Sequence, residues 1–402
     1  MKNNIIILVT LFSLGLLSSC AKLDIENPNG GQEPNFATAR EGAAYTYTGE
    51  FARLSAMFTQ QLQGNDLHYS PVYDKYLLTD SKLLNSYNTA YRHGVSLALD
   101  KNDDEGKLIA ALIYSVTIEY FDNAERYVAR GESPTPLTYN DILTLISEIG
   151  GDYATEAKML KARVYLNQGK FTEALAALPT TMSDEDGYYV VHAGSSRSMN
   201  EWPLFQISRG GYLTPDKNIY HLDIKISNYT FLDGDTLLAY PIPKTVKMVY
   251  EKDTITVLTS QTDTFSKGGL MVEDPRLETY YGDGTVLGFP MTSNEKAYLI
   301  SYAEALFIKA EAELETGANA QASFTEALTA AFKSAGVDGT AYIAANGTLD
   351  TDKAKAKEQI MTQKYLYMFG HPMVFVDYKR TKLPKITEKQ SNFPDKWHYY
   401  YQ

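Results

Sequence analysis

The sequence contains an internal repeat, called the echo below, in which each copy fits a pair of antiparallel helices. Residues 161–175 carry Lys-Ala-x-x-x-Leu-x-x-Gly followed by Phe-Thr-Glu-Ala-Leu, and residues 309–328 repeat both motifs in the same order. One residue separates Gly169 from the second motif in the first copy, whereas six residues follow Gly317 before the second motif begins. A small alanine on the first helix allows the second to pack closely, and glycine ends the first helix. Phenylalanine and alanine on the second helix then pack it against the first. The echo therefore predicts two helical hairpins.

The arrangement resembles the helix pairs of tetratricopeptide repeats. The residues of the first copy that fit this pattern best are Ala162, Tyr165, Gly169, Phe171 and Ala174. Two copies are fewer than a solenoid needs in order to be stable alone. We therefore expect the two pairs to scaffold a larger domain.

The rest of the chain divides into two helical parts around an irregular middle. Apolar residues recur at steps of three, four or seven through most of 36–179 and 299–402, as they do along a helix. Residues 180–298 are rich in glycine and proline; within them, alternation at 220–226 predicts a strand and 246–258 predicts a hairpin. The sequence thus predicts a mainly α fold, with helix pairs packed against an irregular ligand-binding portion that has a few short β-strands.

The amino terminus predicts export and attachment to a membrane by lipid. A lysine precedes a thirteen-residue apolar run, which is typical of a secretory signal and too short to span a bilayer. Two serines stand directly before Cys20, the single cysteine, in an order that resembles the bacterial lipobox. We therefore predict a signal peptide over 1–19, acylation of Cys20, a flexible tether over 20–35, and one domain over 36–402.

Composition and motifs exclude several classes of function. The chain has 37 Lys and Arg against 49 Asp and Glu, a net charge of −12, so it is expected to repel nucleic acid. A single cysteine excludes an intramolecular disulfide and any CxxC site. No HExxH, GxSxG, GxGxxG or P-loop motif is present. The acidic runs 184–186 and 233–235 lack the spacing of a calcium-binding EF-hand and are interpreted as solvated turns. No catalytic residue, metal or cofactor is predicted.

Tyrosine is the residue type that suggests a ligand site, because the chain has 31 tyrosines and only two tryptophans. Aromatic rings stack on the apolar faces of sugars, while neighbouring polar groups bind the hydroxyls. Candidate ligand contacts are the aromatic residues on irregular segments: Tyr69, Tyr73, Tyr76, Tyr188, Tyr189 and Trp202. For each of these tyrosines the alternative is packing with a satisfied hydroxyl. Tyrosines on helical faces are expected in the core, namely Tyr120, Tyr165, Tyr302 and Tyr365.

Four segments of the carboxy-terminal third stand in the order found in a known family. Residues 274–277 read Asp-Pro-Arg-Leu, 298–312 carry an alanine-rich helix, 361–369 carry a Gln-Lys helix, and 375–384 carry an Asp-x-x-Arg turn. Together with the lipobox, they resemble the SusD/RagB outer-membrane nutrient-binding lipoproteins. The chain is shorter than most members, and 392–402 matches the usual ending only loosely. The aspartate and arginine of the turn are expected to form a structural pair.

The resemblance implies a SusD-like α/α superhelix of four tetratricopeptide-like helix pairs. It also implies a lipid-anchored, non-enzymatic protein at the outer membrane, exposed on the cell surface, and a TonB-dependent SusC-like transporter as partner. Asp24 and Glu26 loosely resemble the surface-export tag of such lipoproteins. The predicted function is to capture an oligosaccharide and deliver it to that transporter.

Three alternatives stay open at this point. A RagB-type member would bind peptides in place of glycans. A tetratricopeptide scaffold lipoprotein would organise envelope proteins and bind no nutrient. A surface glycan hydrolase would need two carboxylates about 5–9.5 Å apart, which a chain with 49 acidic residues does not exclude.

Overall fold

The chain folds mainly into α-helices, with short paired strands in its middle part, in a computed structural model. The structure describes residues 36–65, 69–76, 94–127, 133, 135–191, 213–216, 229–232, 236–239, 246–250, 253–255, 274–276, 279, 296–386 and 393–396. All of them belong to one unit, Phe36–Gln402. The predicted mainly α fold with a few short strands is confirmed. The signal peptide and tether predicted over 1–35 lie outside the described residues and stay predictions.

The described helices are, in chain order, α1 (Phe36–Thr48), α2 (Glu50–Phe58), α3 (Ser70–Lys75), α4 (Ser96–Lys101), α5 (Asp104–Tyr120), α6 (Tyr139–Ser147), α7 (Ala154–Asn167), α8 (Phe171–Ala177), α9 (Tyr302–Thr316), α10 (Gln321–Ser334), α11 (Thr340–Asn346), α12 (Lys353–Tyr367) and α13 (Met373–Thr381). The described strands are β1 (Leu62–Gly64), β2 (Glu125–Arg126), β3 (Thr135–Pro136), β4 (Gly187–Val191), β5 (Leu213–Pro215), β6 (Tyr229–Leu232), β7 (Thr236–Ala239), β8 (Val246–Tyr250), β9 (Asp253–Ile255) and β10 (Lys296–Ser301).

Each described strand pairs with one antiparallel partner. Strand β1 pairs with β5, β2 with β3, β4 with β10, β6 with β7, and β8 with β9. The hairpin predicted at 246–258 is confirmed by the pairing of β8 with β9. The strand predicted at 220–226 lies outside the described residues. The β4–β10 pair joins the segment after the first helical hairpin to the start of the second.

The echo in the sequence forms two helical hairpins, as predicted, with α7 and α8 in the first and α9 and α10 in the second. Ala162 and Ala174 are fully buried, in one cluster with apolar side chains of α9. Gly169 and Gly317 follow the first helix of each hairpin with φ angles of 71° and 82°, a left-handed conformation that glycine adopts without steric strain. The two hairpins therefore pack against each other through their small residues.

The helix expected at 298–312 begins at Tyr302, so the predicted start is wrong by four residues. Residues 296–301 form β10 instead, because they pair with β4. Ser301 then caps α9, since its hydroxyl accepts a hydrogen bond from the N–H of Glu304 at 3.3 Å. The strand thus leads directly into the helix. Three residues at this junction, Ser301, Tyr302 and Ala303, line the pocket described below.

The Asp-x-x-Arg segment lies within helix α13, so its prediction as a turn is wrong. Asp377 and Arg380 stand one helical turn apart on the same face, and Nη2 of the arginine lies 2.9 Å from Oδ1 of the aspartate. Arg380 also donates to Glu311 of α9, and Lys364 of α12 lies 2.7 Å from Asp377. The predicted structural pair is confirmed, as part of a network of two cations and two carboxylates that joins three helices.

A second buried cluster holds the two helices of the second hairpin against α12. It contains Phe307 of α9, Phe324 and Phe332 of α10, and Ile360 of α12, each at most 2% exposed. Truncating a buried ring of this kind typically costs about 3–5 kcal/mol. This cluster therefore fixes the relative positions of the helix ends that line the candidate site.

Candidate ligand-binding site

Two tyrosines that were predicted to contact a ligand, Tyr73 and Tyr76, belong to the hydrophobic core. They are 4% and 7% exposed. The hydroxyl of Tyr73 donates to the buried carboxylate of Asp216, and the ring of Tyr76 packs edge-on against Phe58 and Phe393. Helix α3 turns these side chains inward, a direction that the loop composition did not indicate. The described conformation assigns both residues to packing.

Tyr69, just before α3, is half-buried and contacts Arg53. Nη1 of the arginine donates to the tyrosine hydroxyl at 2.8 Å, and the guanidinium carbon lies 5.2 Å from the centre of the ring. A cation over the ring face strengthens such a contact. Tyr69 keeps part of its surface accessible and remains a candidate.

The neighbouring tyrosines Tyr188 and Tyr189 point to opposite sides of β4. Successive side chains of a strand alternate between its two faces, and here the first residue is 7% exposed and the second 38%. The hydroxyl of Tyr188 donates to Oε1 of Glu105 at 3.1 Å, and Arg40 binds the same oxygen. Tyr188 is therefore assigned to packing, whereas Tyr189 remains a candidate. Trp202 lies outside the described residues.

Tyr189 forms an exposed aromatic surface with β10, called here the tyrosine shelf and defined as Tyr189, Lys296 and Tyr298. Tyr298 is its direct cross-strand partner, with the ring centres 5.3 Å apart and the planes tilted by 59°. Nζ of Lys296 lies 4.3 Å from the centre of the Tyr189 ring. Direct cross-strand aromatic pairs stabilise a sheet, so the pairing itself holds the shelf in place.

A surface pocket of about 240 Å³ adjoins the tyrosine shelf. Its wall comes from the loop before β4, from β10, from the first residues of α9, from the end of α10 and from the end of α12. The lining residues are Asp184, Asp186, Lys296, Tyr298, Ser301, Tyr302, Ala303, Ala330, Lys333, Ser334 and Tyr367. We call this the β10 pocket. It places charged groups of both signs and three tyrosines around one small cavity.

Tyr302 was expected in the core and lines the β10 pocket instead. Its hydroxyl donates to Oε1 of Glu326 at 2.5 Å. Burial, this hydrogen bond and the negative charges of Glu326, Asp184 and Asp186 raise the pKa of Tyr302 to about 12. Of the other tyrosines expected in the core, Tyr120 and Tyr365 are buried and Tyr165 is half-buried.

Two further observations concern metal sites and membrane-spanning helices among the described residues. No cluster of three or more His, Cys, Asp or Glu side chains among them is arranged to hold a metal ion. No helix in the same portion of the chain is long and apolar enough to cross a membrane.

Sequence reasoning missed Tyr298 and Lys296 as site residues. Tyr298 was interpreted as the first residue of a helix and Lys296 as part of the irregular portion 180–298, whereas both stand on strand β10, opposite Tyr189 and Val191 of β4 respectively. The available signal was the alternation of polar or partly exposed residues with buried apolar ones over 296–299, since 299–301 are all buried. The helix was predicted to begin at Tyr298 because the residues that follow are rich in alanine.

The described helices and strands have the mainly helical fold of SusD-like proteins. Residues 256–399 match the model of a SusD-like family described as "Starch-binding associating with outer membrane". The predicted resemblance to the SusD/RagB family is confirmed by this match together with the fold. SusD-like proteins are binding proteins rather than enzymes, which is the class predicted for this chain.

Solved structures with the same fold cover nearly the whole chain. One described as a chitin-binding protein has a TM-score of 0.61 at 15% identity, covering 91% of this chain and 92% of its own. A SusD-like protein described as "Bacteroidetes AC2a" has a TM-score of 0.61 at 16% identity, covering 90% and 93%. A chitin-binding SusD homolog from Flavobacterium johnsoniae has a TM-score of 0.56 at 16% identity, covering 87% and 86%. No curated protein matches the chain.

Proposed function

We propose that this chain is a lipid-anchored binding protein of the outer membrane that captures an oligosaccharide on the tyrosine shelf. The observation that carries the proposal is the pairing of the exposed Tyr189 ring with Tyr298, beside a pocket of polar groups. An aromatic surface next to hydrogen-bonding groups offers a sugar both the contacts it needs, since its ring faces are apolar and its edges carry hydroxyls. The family description, which names starch binding, and two structural relatives that are described as chitin-binding support a glycan ligand.

The bound oligosaccharide then passes to a TonB-dependent transporter of the SusC kind at the outer membrane. This step follows from the family resemblance of the carboxy-terminal third and from the outer-membrane association in the family description. Acylated Cys20 holds the protein at the membrane through buried methylene groups, each worth about 0.8 kcal/mol. The flexible tether over 20–35 allows the binding domain to extend away from the membrane surface.

The test is calorimetric titration of the purified domain with starch and chitin oligosaccharides of equal length. Saturable binding of either series, without release of shorter products, supports the proposal. Absence of binding to both series, or turnover that a single carboxylate substitution abolishes, contradicts it and favours the scaffold or the hydrolase alternative. The transporter step is tested separately, by asking whether the full-length chain purified from its own membranes carries a TonB-dependent barrel with it.

A further inference from the structure

The tyrosine shelf and the β10 pocket are continuous, because Lys296 and Tyr298 belong to both. Tyr189, the third member of the shelf, does not line the pocket. Its ring centre lies 5.3 Å from that of Tyr298, which stands directly opposite on the neighbouring strand. A chain of sugar units that stacks on the exposed ring of Tyr189 can therefore pass over Tyr298 and enter the pocket.

The β10 pocket is small and is walled by several segments. Its volume is about 240 Å³, whereas pockets that bury a drug-sized ligand measure about 300–1,000 Å³. Asp184 of the loop before β4 and Lys333 of α10 both line it, and their ion pair joins these two parts of the wall. The pocket thus has room for about one sugar unit. An internal unit would fit only if both of its neighbours in the chain left the pocket again.

The polar groups that line the pocket include both donors and acceptors, and their charges balance. The lining contains two lysines, two aspartates and the hydroxyl groups of two serines and three tyrosines. The two positive and two negative formal charges cancel, so the lining selects neither a cation nor an anion. A hydroxyl group donates one hydrogen bond and offers two lone pairs. An uncharged group that is rich in hydroxyls can therefore use both kinds of partner.

We propose that the β10 pocket receives the terminal sugar unit of the oligosaccharide, so that the protein recognises a chain end. The assignment rests on the proposed function for its glycan, and on the size and lining of the pocket for the chain end. A terminal unit carries a free hydroxyl where an internal unit carries a glycosidic bond, and the polar lining can bind this hydroxyl. The units that follow lie on the shelf, with their apolar faces on Tyr298 and Tyr189.

The first test counts chain ends on whichever solubilised polymer, starch or chitin, the protein binds. Partial cleavage multiplies the ends of the polymer and keeps its total mass. We expect the amount of protein bound at saturation by a given mass of polymer to rise in proportion to the number of ends. An unchanged amount means that internal units are bound, which overturns the chain-end assignment and leaves the proposed function standing. Absence of binding to both glycans overturns both.

The second test uses a variant that fills the pocket. Ser334→Trp places a large ring at the exposed end of α10. It is expected to weaken binding of a linear oligosaccharide at least about tenfold, because the terminal unit loses several hydrogen bonds. Ala322→Trp is the matched control, since Ala322 is also exposed on α10, lies about 18 Å along the helix and does not line the pocket. Equal affinities of the two variants overturn the assignment.

A cyclic oligosaccharide of glucose gives a comparison that needs no variant, because it has no chain end. If the protein binds the starch series, we expect the cyclic probe to bind at least about tenfold more weakly than the linear chain with the same number of units, for the same loss of hydrogen bonds. Equal binding of the cyclic and linear probes overturns the chain-end assignment. Thermal unfolding of Ser334→Trp and Ala322→Trp shows whether both variants keep the fold of the parent.

Discussion

Arg163 of α7 and Glu304 of α9 form a buried ion pair that joins the two helical hairpins. Nε of the arginine donates to Oε1 of the glutamate at 2.6 Å, and both side chains are 2% exposed. The same guanidinium donates to the carbonyl of Leu299 on β10 and to the hydroxyl of Tyr47 on α1. One side chain thus links both hairpins, the strand that carries the tyrosine shelf and the first described helix.

Replacing Arg163 by methionine is expected to lower the free energy of unfolding by about 3–5 kcal/mol. The substitution leaves the carboxylate of Glu304 buried without its cation, and an uncompensated buried charge is costly. Chemical denaturation followed by circular dichroism measures the change. The double variant Arg163→Met with Glu304→Met is expected to lose less than the single one, because it removes both charges. A single variant within 1 kcal/mol of the parent would contradict the structural role.

Tyr73→Ala is expected to lower the free energy of unfolding by about 3–5 kcal/mol, since it removes a buried ring and the hydrogen bond to Asp216. Tyr73→Phe keeps the ring and is expected to cost about 1–3 kcal/mol, from the lost hydrogen bond alone. Thermal unfolding of the two variants and of the parent checks the order. An unchanged thermal unfolding midpoint for Tyr73→Ala would contradict the buried position and make Tyr73 a candidate ligand contact again.

Tyr189→Ala is expected to weaken oligosaccharide binding by about 5- to 30-fold while lowering the free energy of unfolding by no more than about 1 kcal/mol, the upper range for a cross-strand aromatic pair. The ring is partly exposed, and truncation of an aromatic contact residue typically costs about 1–2 kcal/mol of binding. Val191→Ala is the matched control, because Val191 is 58% exposed on the same face of β4 and does not line the pocket. Equal affinities for the two variants would remove the shelf from the binding site.

His371 is expected to make the protein less stable in mild acid. Burial and the positive charges of Arg163 and Lys364 lower the pKa of His371 well below the usual 6.5. Its Nε2 atom is buried and has no hydrogen-bond partner among the described residues. The folded state therefore favours the neutral ring. The stability that this preference provides is fully present above pH 6.5 and is lost as the pH falls from 6.5 towards the lowered pKa, by up to about 1.4 kcal/mol per pH unit.

The His371→Asn variant tests this pH dependence, because asparagine cannot ionise and its side-chain oxygen can replace Nδ1 as the acceptor of the N–H of Met373. Denaturation midpoints of parent and variant between pH 7 and pH 5 are compared. We expect a steeper fall for the parent, since acidic groups elsewhere contribute equally to both. Parallel curves would mean that His371 does not titrate in this range.

Cys20→Ala is expected to release the protein from membranes and leave its fold intact. The variant lacks the sulfur that would carry the acyl chains, whose buried methylene groups are worth about 0.8 kcal/mol each. Fractionation of cells followed by circular dichroism of the released protein measures both parts. A variant that stays with the membrane would contradict lipid attachment at Cys20.

The helical hairpins and their stacking could be predicted from the sequence, because the residues that set helix period, small contacts and helix ends lie close together in the chain. The echo at 161–175 and 309–328 carried this information, as did Gly169 and Gly317. The start of α9 could not be predicted in the same way. Whether residues 296–301 extend the helix or form a strand depends on β4, which lies about a hundred residues earlier.

The candidate site followed from the sequence only in part. An excess of tyrosine on irregular segments indicated the residue type that the structure places on the tyrosine shelf, and Tyr189 was among the candidates. The sequence does not show in which direction each ring points, because Tyr73 and Tyr76 turn inward only when α3 packs on its neighbours. Tyr302 was interpreted as core since it lies in a helix, yet the end of α10 leaves its hydroxyl at a pocket.

By itself the sequence determined that the chain forms stacked helical hairpins and that tyrosine is the residue type of the candidate site, since both depend on local spacing and residue type. Only the tertiary structure decided which tyrosines face outward. Tyr188 and Tyr189 are adjacent, and the register of β4 against β10 sends one to Glu105 in the core and the other to Tyr298 at the surface. A shift of one residue would exchange them, and that register is set by contacts between segments far apart in the chain.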